Sequence, residues 1–298
     1  MRRLMTMFTF LAAPVLAQAQ TPADYPAQIE QWHAARVERL QRPDGWLSLV
    51  GLHWLERGTH SVGSAADNAI VLATGPARLG TLRFDEAGVN FTPATDSGVS
   101  IDGQAATGEV KLRADADGAP NIVGFNDGTA SFMLIKRGER YALRVRDAKA
   151  ATRTGFVGIE RYPVDAAWRI EARFEPHPPG KTIDIATVLN TIEPMANPGA
   201  LVFEKDGKTH RLEAVDEGDG SLFLIFADRT NGRETYGPGR FLYAERIDAG
   251  RVVVDFNRAY NPPCAFNAYS TCPLPPPENR LDLAVTAGEK KYRGPNGQ

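Results

Sequence analysis

The 298-residue sequence has few cysteines, no excess of charge of either sign, and none of the common catalytic signatures. Its formal net charge of −2 provides no field that would attract nucleic acid. No His-Glu-x-x-His, Gly-x-Ser-x-Gly, Walker loop or dinucleotide fingerprint occurs, and the five histidines stand in no recognisable setting. We therefore predict no nucleic-acid partner and expect no cofactor and no metal ion, and we identify no residue as catalytic.

Long hydrophobic runs are also absent, except at the start of the chain. Met1-Arg2-Arg3 precedes the uncharged residues 4–17, and Ala17-Gln18-Ala19 supplies a small-x-small site. The apolar stretch is shorter than the ~20 residues that span a bilayer, so it is typical of a secretory signal peptide. We predict a signal peptide at residues 1–19, a periplasmic or extracellular protein, and no integral membrane segment after cleavage.

The two cysteines, Cys264 and Cys272, would face an oxidising compartment after export. A disulfide is the leading interpretation, and the chain-entropy model gives it about 2–3 kcal/mol of stabilisation. Buried thiols rank second. Metal or thiolate chemistry ranks third, because a second cysteine pair and a neighbouring histidine are both missing.

What is present indicates a mostly β protein with one N-terminal helix. Ile29, Trp32, Val37 and Leu40 recur at helical spacing, which predicts an amphipathic helix over residues 26–42 within an N-terminal segment of residues 20–45. Residues 46–55 are rich in large apolar groups. We interpret them as core-filling, with an exposed tryptophan platform for a sugar or an aromatic group as the alternative.

Short apolar runs separated by Asp-Gly and Asn-Gly turns follow, and they favour a sandwich or barrel in two packed subdomains. We place these subdomains at residues 46–150 and 151–298. The predicted strands are 69–72, 80–84, 89–91, 110–113, 122–125, 132–135, 141–146, 168–174, 182–189, 199–203, 209–214, 222–226 and 252–256.

Part of the first subdomain resembles a forkhead-associated β-sandwich. The resemblance rests on Gly58 and residues 60–64, 68–72 and 101–103. That family binds phosphothreonine through an arginine after the first glycine and a later Ser-x-x-His. Here Ser64 stands at the arginine position and no Ser-x-x-His follows, so the resemblance implies a sandwich scaffold rather than phosphopeptide binding.

Residues 255–279 concentrate six prolines and both cysteines with several amides and tyrosines. Because proline restricts the backbone, such a loop loses little entropy when it binds a partner. We predict that it forms a ligand site together with two residues from earlier in the chain. The candidate residues are Asp228, Arg240, Asp255, Asn257, Tyr260, Asn261, Asn267, Tyr269, Glu278 and Asn279. The alternative is structural: the loop caps a sheet, and its polar groups satisfy its own backbone.

The chain also resembles a domain-of-unknown-function family, number 1684. The resemblance rests on residues 44–47, 141–147, 226–228, 234–237, 239–242, 255–279 and 287–290. It implies no established activity.

Three functions remain open from the sequence. The first is a module that binds a small polar molecule or glycan through aromatic faces and amides. The second is a hydrolase with a carboxylate pair drawn from Asp228, Asp255, Glu278 and Glu289. The third is an envelope structural or interaction protein.

Overall fold

The computed structural model describes residues 22–294 and shows a mostly β protein with one long helix. The predicted signal peptide, residues 1–19, lies outside the described residues. None of the helices within residues 22–294 has the length and apolar character needed to cross a membrane.

Helix α1 (Tyr25–Gln41) confirms the predicted N-terminal helix. Proline in its first turn suits a helix start, since the missing N–H has no intrahelical partner there. Tyr25, Ile29 and Leu40 are buried, and the Tyr25 hydroxyl donates a 2.6 Å hydrogen bond to Asp255 at the far end of the chain. These contacts hold α1 against the C-terminal half.

Strands β1 to β11 form two sheets that enclose one apolar core. The sheet orders are β1-β11-β10-β9-β6-β7 and β3-β2-β4-β5-β8, and only the β2–β3 pair is parallel. The strands are β1 (Leu49–Trp54), β2 (Gly58–Gly63), β3 (Ile70–Val71), β4 (Gly80–Asp85), β5 (Gly88–Pro93), β6 (Ser100–Ile101), β7 (Gln104–Ala105), β8 (Val110–Lys111), β9 (Ile122–Phe125), β10 (Ala130–Arg137) and β11 (Arg140–Asp147).

Within β11 the side chains alternate between two environments. Leu143 and Val145 point into the core shared by the two sheets, together with Phe132 of β10. Because successive strand residues face opposite sides, Arg144 and Arg146 share the other face of this sheet.

The remaining strands follow the four-residue helix α2 (Ala151–Thr154) and form a closed barrel. They are β12 (Arg169–Pro176), β13 (Thr182–Ala186), β14 (Ile192–Lys205), β15 (Lys208–Asp216), β16 (Leu222–Phe226), β17 (Arg240–Arg246) and β18 (Arg251–Asp255). Their order is β12-β18-β17-β16-β15-β14-β13, and an additional β12–β14 pairing closes a six-stranded barrel with β13 outside it. Every residue of β16 is buried, as its uninterrupted apolar run predicts.

The closure of the barrel depends on the irregular strand β14. Its register shifts between Ala196 and Gly199, so its first part pairs with β13 and its later part with β12. A Cβ at Gly199 would meet the Glu175 carbonyl oxygen at 2.5 Å. Glycine therefore allows the two strands to approach where the barrel closes.

The two β regions meet through α1, the residues around Trp46, and the disulfide loop. Leu40, Leu47, Ile159 and Phe266 form a small apolar cluster between them. The Asn267 side chain donates a 3.0 Å hydrogen bond to the Trp46 carbonyl. The loop thus fixes the position of Trp46.

The predicted fold class is confirmed, and each predicted strand has a counterpart. Five strands were not predicted as such: β1, which was interpreted as core-filling sequence, β17, whose residues were noted only as a family motif, and β2, β6 and β7. Strand β13 ends at Ala186, earlier than predicted, because residues 187–191 turn the chain towards β14. The forkhead-associated topology and the subdomain boundaries stay predictions.

Candidate functional site

A cleft of about 530 Å³ opens where α1, β11 and β17 come together. Trp32, Arg36, Arg39 and Leu40 lie on one face of α1, at helical spacing. The turn after the helix, Arg146 of β11 and two tyrosines complete the wall. The lining residues are Trp32, Arg36, Arg39, Leu40, Arg42, Asp44, Gly45, Trp46, Arg146, Tyr243 and Tyr260.

The charge in this cleft is predominantly positive, with four arginines and one aspartate in its lining. Arg36 is neutralised, because its guanidinium donates to both carboxylate oxygens of Glu289. Arg42 forms two hydrogen bonds with Asp44, at 2.9 and 3.0 Å, which lower the pKa of that carboxyl.

Arg39 and Arg146 differ from Arg36 and Arg42 in having no carboxylate partner within residues 22–294. Neither forms an ion pair within residues 22–294, and the Arg146 Nε is buried with no hydrogen-bond acceptor in that range. Burial lowers the pKa of Arg146, and the charge of Asp44 offsets only part of this effect. The cleft therefore contains two arginines without an ion pair in that range, Arg39 on helix α1 and Arg146 on strand β11.

Aromatic rings cover much of the remaining wall. The rings of Tyr243 and Tyr260 are nearly parallel, with an interplanar angle of 14° and centroids 6.4 Å apart. The Arg36 guanidinium lies 4.5 Å from the centroid of the Tyr260 ring. Burial raises the pKa of Tyr260 to about 12, so its hydroxyl stays protonated at neutral pH. Trp46 is 37% exposed and is a lining residue.

Next to Trp46 is a second basic group, buried beneath the surface. The Arg144 guanidinium carbon lies 5.4 Å from the centroid of the Trp46 ring, and only 3% of the residue is exposed. Its NH2 donates a 3.2 Å hydrogen bond to the Thr271 hydroxyl, which also accepts from Arg137. Burial, followed by the charge of Arg137, lowers the pKa of Arg144 to about 10.

Among the sequence-predicted site residues, Asp228 and Arg240 do meet, as a fully buried ion pair of 2.9 Å. The Arg240 guanidinium also donates to the carbonyls of Val285 and Ala287. Since these contacts join the barrel to the C-terminal segment, the pair serves as a structural crosslink.

Asp255, Asn257 and Asn279 likewise hold other parts of the chain. Asp255 accepts from Tyr25, and Asn257 donates a 2.8 Å hydrogen bond to the Asp165 carbonyl. Asn279 bonds both backbone groups of Glu213, at 2.7 and 2.9 Å.

The other predicted residues are dispersed. The Asn261 side chain donates to the Lys290 carbonyl, and Asn267 accepts the backbone N–H of Tyr269. Glu278 is exposed in the 3-10 turn Pro277–Asn279. Tyr260 alone among the ten is a lining residue of the cleft.

Sequence reasoning missed most of the cleft, although two signals were present. Trp32, Arg36 and Arg39 repeat at helical spacing, and Arg144 and Arg146 alternate along one strand. Trp46 is exposed, but Trp54, the other tryptophan of its segment, is half-buried with Arg140 over its ring, so the alternative of a platform made by two exposed tryptophans stays a prediction.

The predicted disulfide between Cys264 and Cys272 is present. No group of three or more histidine, cysteine, aspartate or glutamate residues in the described range is arranged to hold a metal ion.

Fold and cleft together define a β protein whose helix-capped barrel and companion sheets enclose a basic, aromatic-lined cleft. The chain belongs to the family described as "Protein of unknown function (DUF1684)", whose model matches residues 154–290. The motifs at 44–47 and 141–147 lie outside that match.

An uncharacterized protein of Haloarcula marismortui, with a structure solved by NMR in solution, is 31% identical to the chain. The alignment covers 46% of this chain and 78% of that one, with a TM-score of 0.39. The curated proteins contain no match to the chain.

Proposed function

We propose that the protein binds a small anionic molecule that carries a ring, in the cleft between α1, β11 and β17. The observation that carries this proposal is Arg146, which is partly buried in an aromatic-lined cleft without a carboxylate partner in residues 22–294. A buried cation without a counter-charge is costly, so an anionic ligand would gain from supplying that charge.

The distribution of ion pairs supports an anionic ligand over a neutral one. Arg36 and Arg42 have carboxylate partners, whereas Arg39 and Arg146 have none within residues 22–294. These two guanidiniums, one on α1 and one on β11, would provide planar hydrogen-bond donors for a carboxylate or phosphate.

The rings support a flat partner. Tyr260, Tyr243, Trp32 and Trp46 supply aromatic faces, on which a sugar or an aromatic ring would pack. The cleft volume of about 530 Å³ lies within the range of ligand pockets. An acidic sugar would use both the rings and the arginines, so this proposal includes acidic glycans.

The contacts of the four candidate carboxylates favour a hydrolase with a carboxylate pair less than they favour anion binding in the cleft. Asp228 is bound to Arg240, Glu289 to Arg36 and Asp255 to Tyr25, while Glu278 is exposed. We found no observation that favours an envelope structural role. Export stays part of the proposal, supported by the disulfide, because such bonds persist in oxidising compartments.

The test is titration calorimetry with pairs of ligands that differ in charge. Benzoate and glucuronate are compared with benzyl alcohol and glucose at low and high salt. We expect the anions to bind more tightly than their neutral counterparts and to weaken as salt increases.

Arg146→Met should weaken binding of the anions by about tenfold or more, since it removes a charged hydrogen-bond donor. Arg140→Met is the matched control, because Arg140 lies on the same face of the same strand but is exposed and stacks on Trp54. Equal binding of anionic and neutral ligands, or unchanged affinity in Arg146→Met, would contradict the proposal.

A further inference from the structure

We propose that the cleft selects a doubly charged phosphate monoester over a singly charged group, and that Arg144 is the residue that sets this preference. The inference rests on the proposed function and deepens it, because it names the class of anion.

Arg144 forms no ion pair within residues 22–294, and the nearby carboxylate of Asp115, which also attracts it, is paired with Arg137. Arg137, its neighbour, has the 2.8 Å ion pair with Asp115, and both arginines share the Thr271 hydroxyl as acceptor. The Arg144 Nε is buried with no acceptor within residues 22–294. This cluster therefore contains two guanidiniums and one carboxylate.

Arg240 provides an internal comparison. It is equally inaccessible, yet it has a carboxylate partner in Asp228 and backbone carbonyl acceptors as well. The chain can therefore give a buried guanidinium a carboxylate and carbonyl acceptors when the role is structural, although the Arg240 Nε, like that of Arg144, has no acceptor within residues 22–294. Arg144, with one hydroxyl acceptor, does not follow that pattern, and its unmatched charge is explained if an anion binds nearby.

The charge of Arg144 also lies beside the cleft. Arg144 and Arg146 are two residues apart on one strand face, which places their Cα atoms about 6.6 Å from each other. Trp46, which packs on the Arg144 guanidinium, is itself a lining residue. A negatively charged ligand group bound to Arg146 would therefore be attracted by the Arg144 charge as well. The distance between them is shorter than one Debye length, and protein rather than solvent lies between them.

The magnitude is enough to discriminate between ligand charges. Two unit charges about 7 Å apart at an effective dielectric of about 20 attract one another enough to change an equilibrium about fiftyfold. A second negative charge on the ligand would be attracted by Arg144 to a similar extent. The larger cost of desolvating a dianion offsets part of this additional attraction. We expect a preference for the dianion of about tenfold or more. No direct contact with Arg144 is required.

Phenyl phosphate and phenyl sulfate test this inference, since both present a tetrahedral group on one ring but carry two charges and one charge at pH 8. Calorimetry on the wild-type protein should show tighter binding of the phosphate. Between pH 5 and pH 7.5 its affinity should rise as the phosphate loses its second proton near pH ~6, while that of the sulfate stays level. This measurement requires no variant.

Arg144→Gln, which removes the charge, should reduce the preference for phosphate towards unity. Arg140→Gln is the matched control and should bind both ligands as wild type does. Equal affinity for the two ligands in the wild-type protein, or an unchanged ratio in Arg144→Gln, would overturn the inference while leaving anion binding intact. If neither ligand binds, the proposed function fails first and the inference fails with it.

Discussion

Replacing Arg144 by methionine should make the ligand-free protein more stable, although the residue is almost completely buried. Most buried positions lose stability on substitution. Arg144 is expected to differ because its guanidinium is charged, desolvated and without a carboxylate partner in residues 22–294. An unbranched methionine side chain would fill much of the same space without the charge.

The magnitude follows from the pKa of about 10, compared with the ordinary 12.5. That difference corresponds to about 3 kcal/mol by which burial disfavours the charged form. Loss of the Thr271 hydrogen bond and of the contact with the Trp46 ring would return about 1–2 kcal/mol. The expected net gain in the free energy of unfolding is therefore about 1–2 kcal/mol.

Urea unfolding at pH 7 measures this gain, with Arg144→Lys and Arg140→Met as comparisons. A lowered pKa on a basic group means that the native state binds its proton less tightly than the unfolded state. The penalty is therefore fully present below pH ~10 and decreases above it. A decrease in stability larger than that of Arg140→Met would refute the reasoning and identify Arg144 as a satisfied structural contact.

Three further outcomes are expected from the same unfolding assay. Asp228→Ala should lose about 3–5 kcal/mol, because it leaves the buried Arg240 without its carboxylate, and a loss below 1 kcal/mol would contradict that role. Burial raises the pKa of Asp255, so its protonated form is favoured in the native state. The stability of wild type relative to Asp255→Asn should therefore fall as the pH rises above about 4, and a flat difference would argue against it. Replacing Cys264 and Cys272 by serine should lower the free energy of unfolding by about 2–3 kcal/mol. The reduced wild-type protein is the control, and it should lose the same amount.

The fold was largely predictable because its signals are local. Apolar alternation and Asp-Gly or Asn-Gly turns depend on neighbouring residues, and the positive φ angles at Asp102 and Gly103 are an example of such a turn. Strand β1 was interpreted only as core-filling sequence because Gly51 and His53 interrupt the apolar run around Leu49, whereas the run of β16 is uninterrupted. The closure of the barrel could not be predicted, because the β12–β14 pairing joins residues that no local pattern connects.

The candidate site was harder to predict for a related reason. A concentration of polar residues between 255 and 279 signals a constrained loop, but the structure uses Asn257, Asn261 and Asn279 mainly to bond backbone groups. The cleft instead combines residues such as Arg36 and Arg146, which are 110 positions apart and individually unremarkable in the sequence. Only the missing carboxylate partner distinguishes Arg146, and that property requires the fold.

The strand outside the barrel has a consequence for how copies of this protein behave in concentrated solution. The chain after Cys272 meets the end of strand β13, on the edge away from β14: the Leu274 amide donates to the carbonyl of Ala186, its last residue, and Pro273 bridges to Thr187 just beyond it. Proline has no amide hydrogen to offer a further strand, so this covering cannot itself recruit another sheet. The stretch beyond the disulfide thus blocks the end of this edge against pairing with a further strand, whatever the cleft binds.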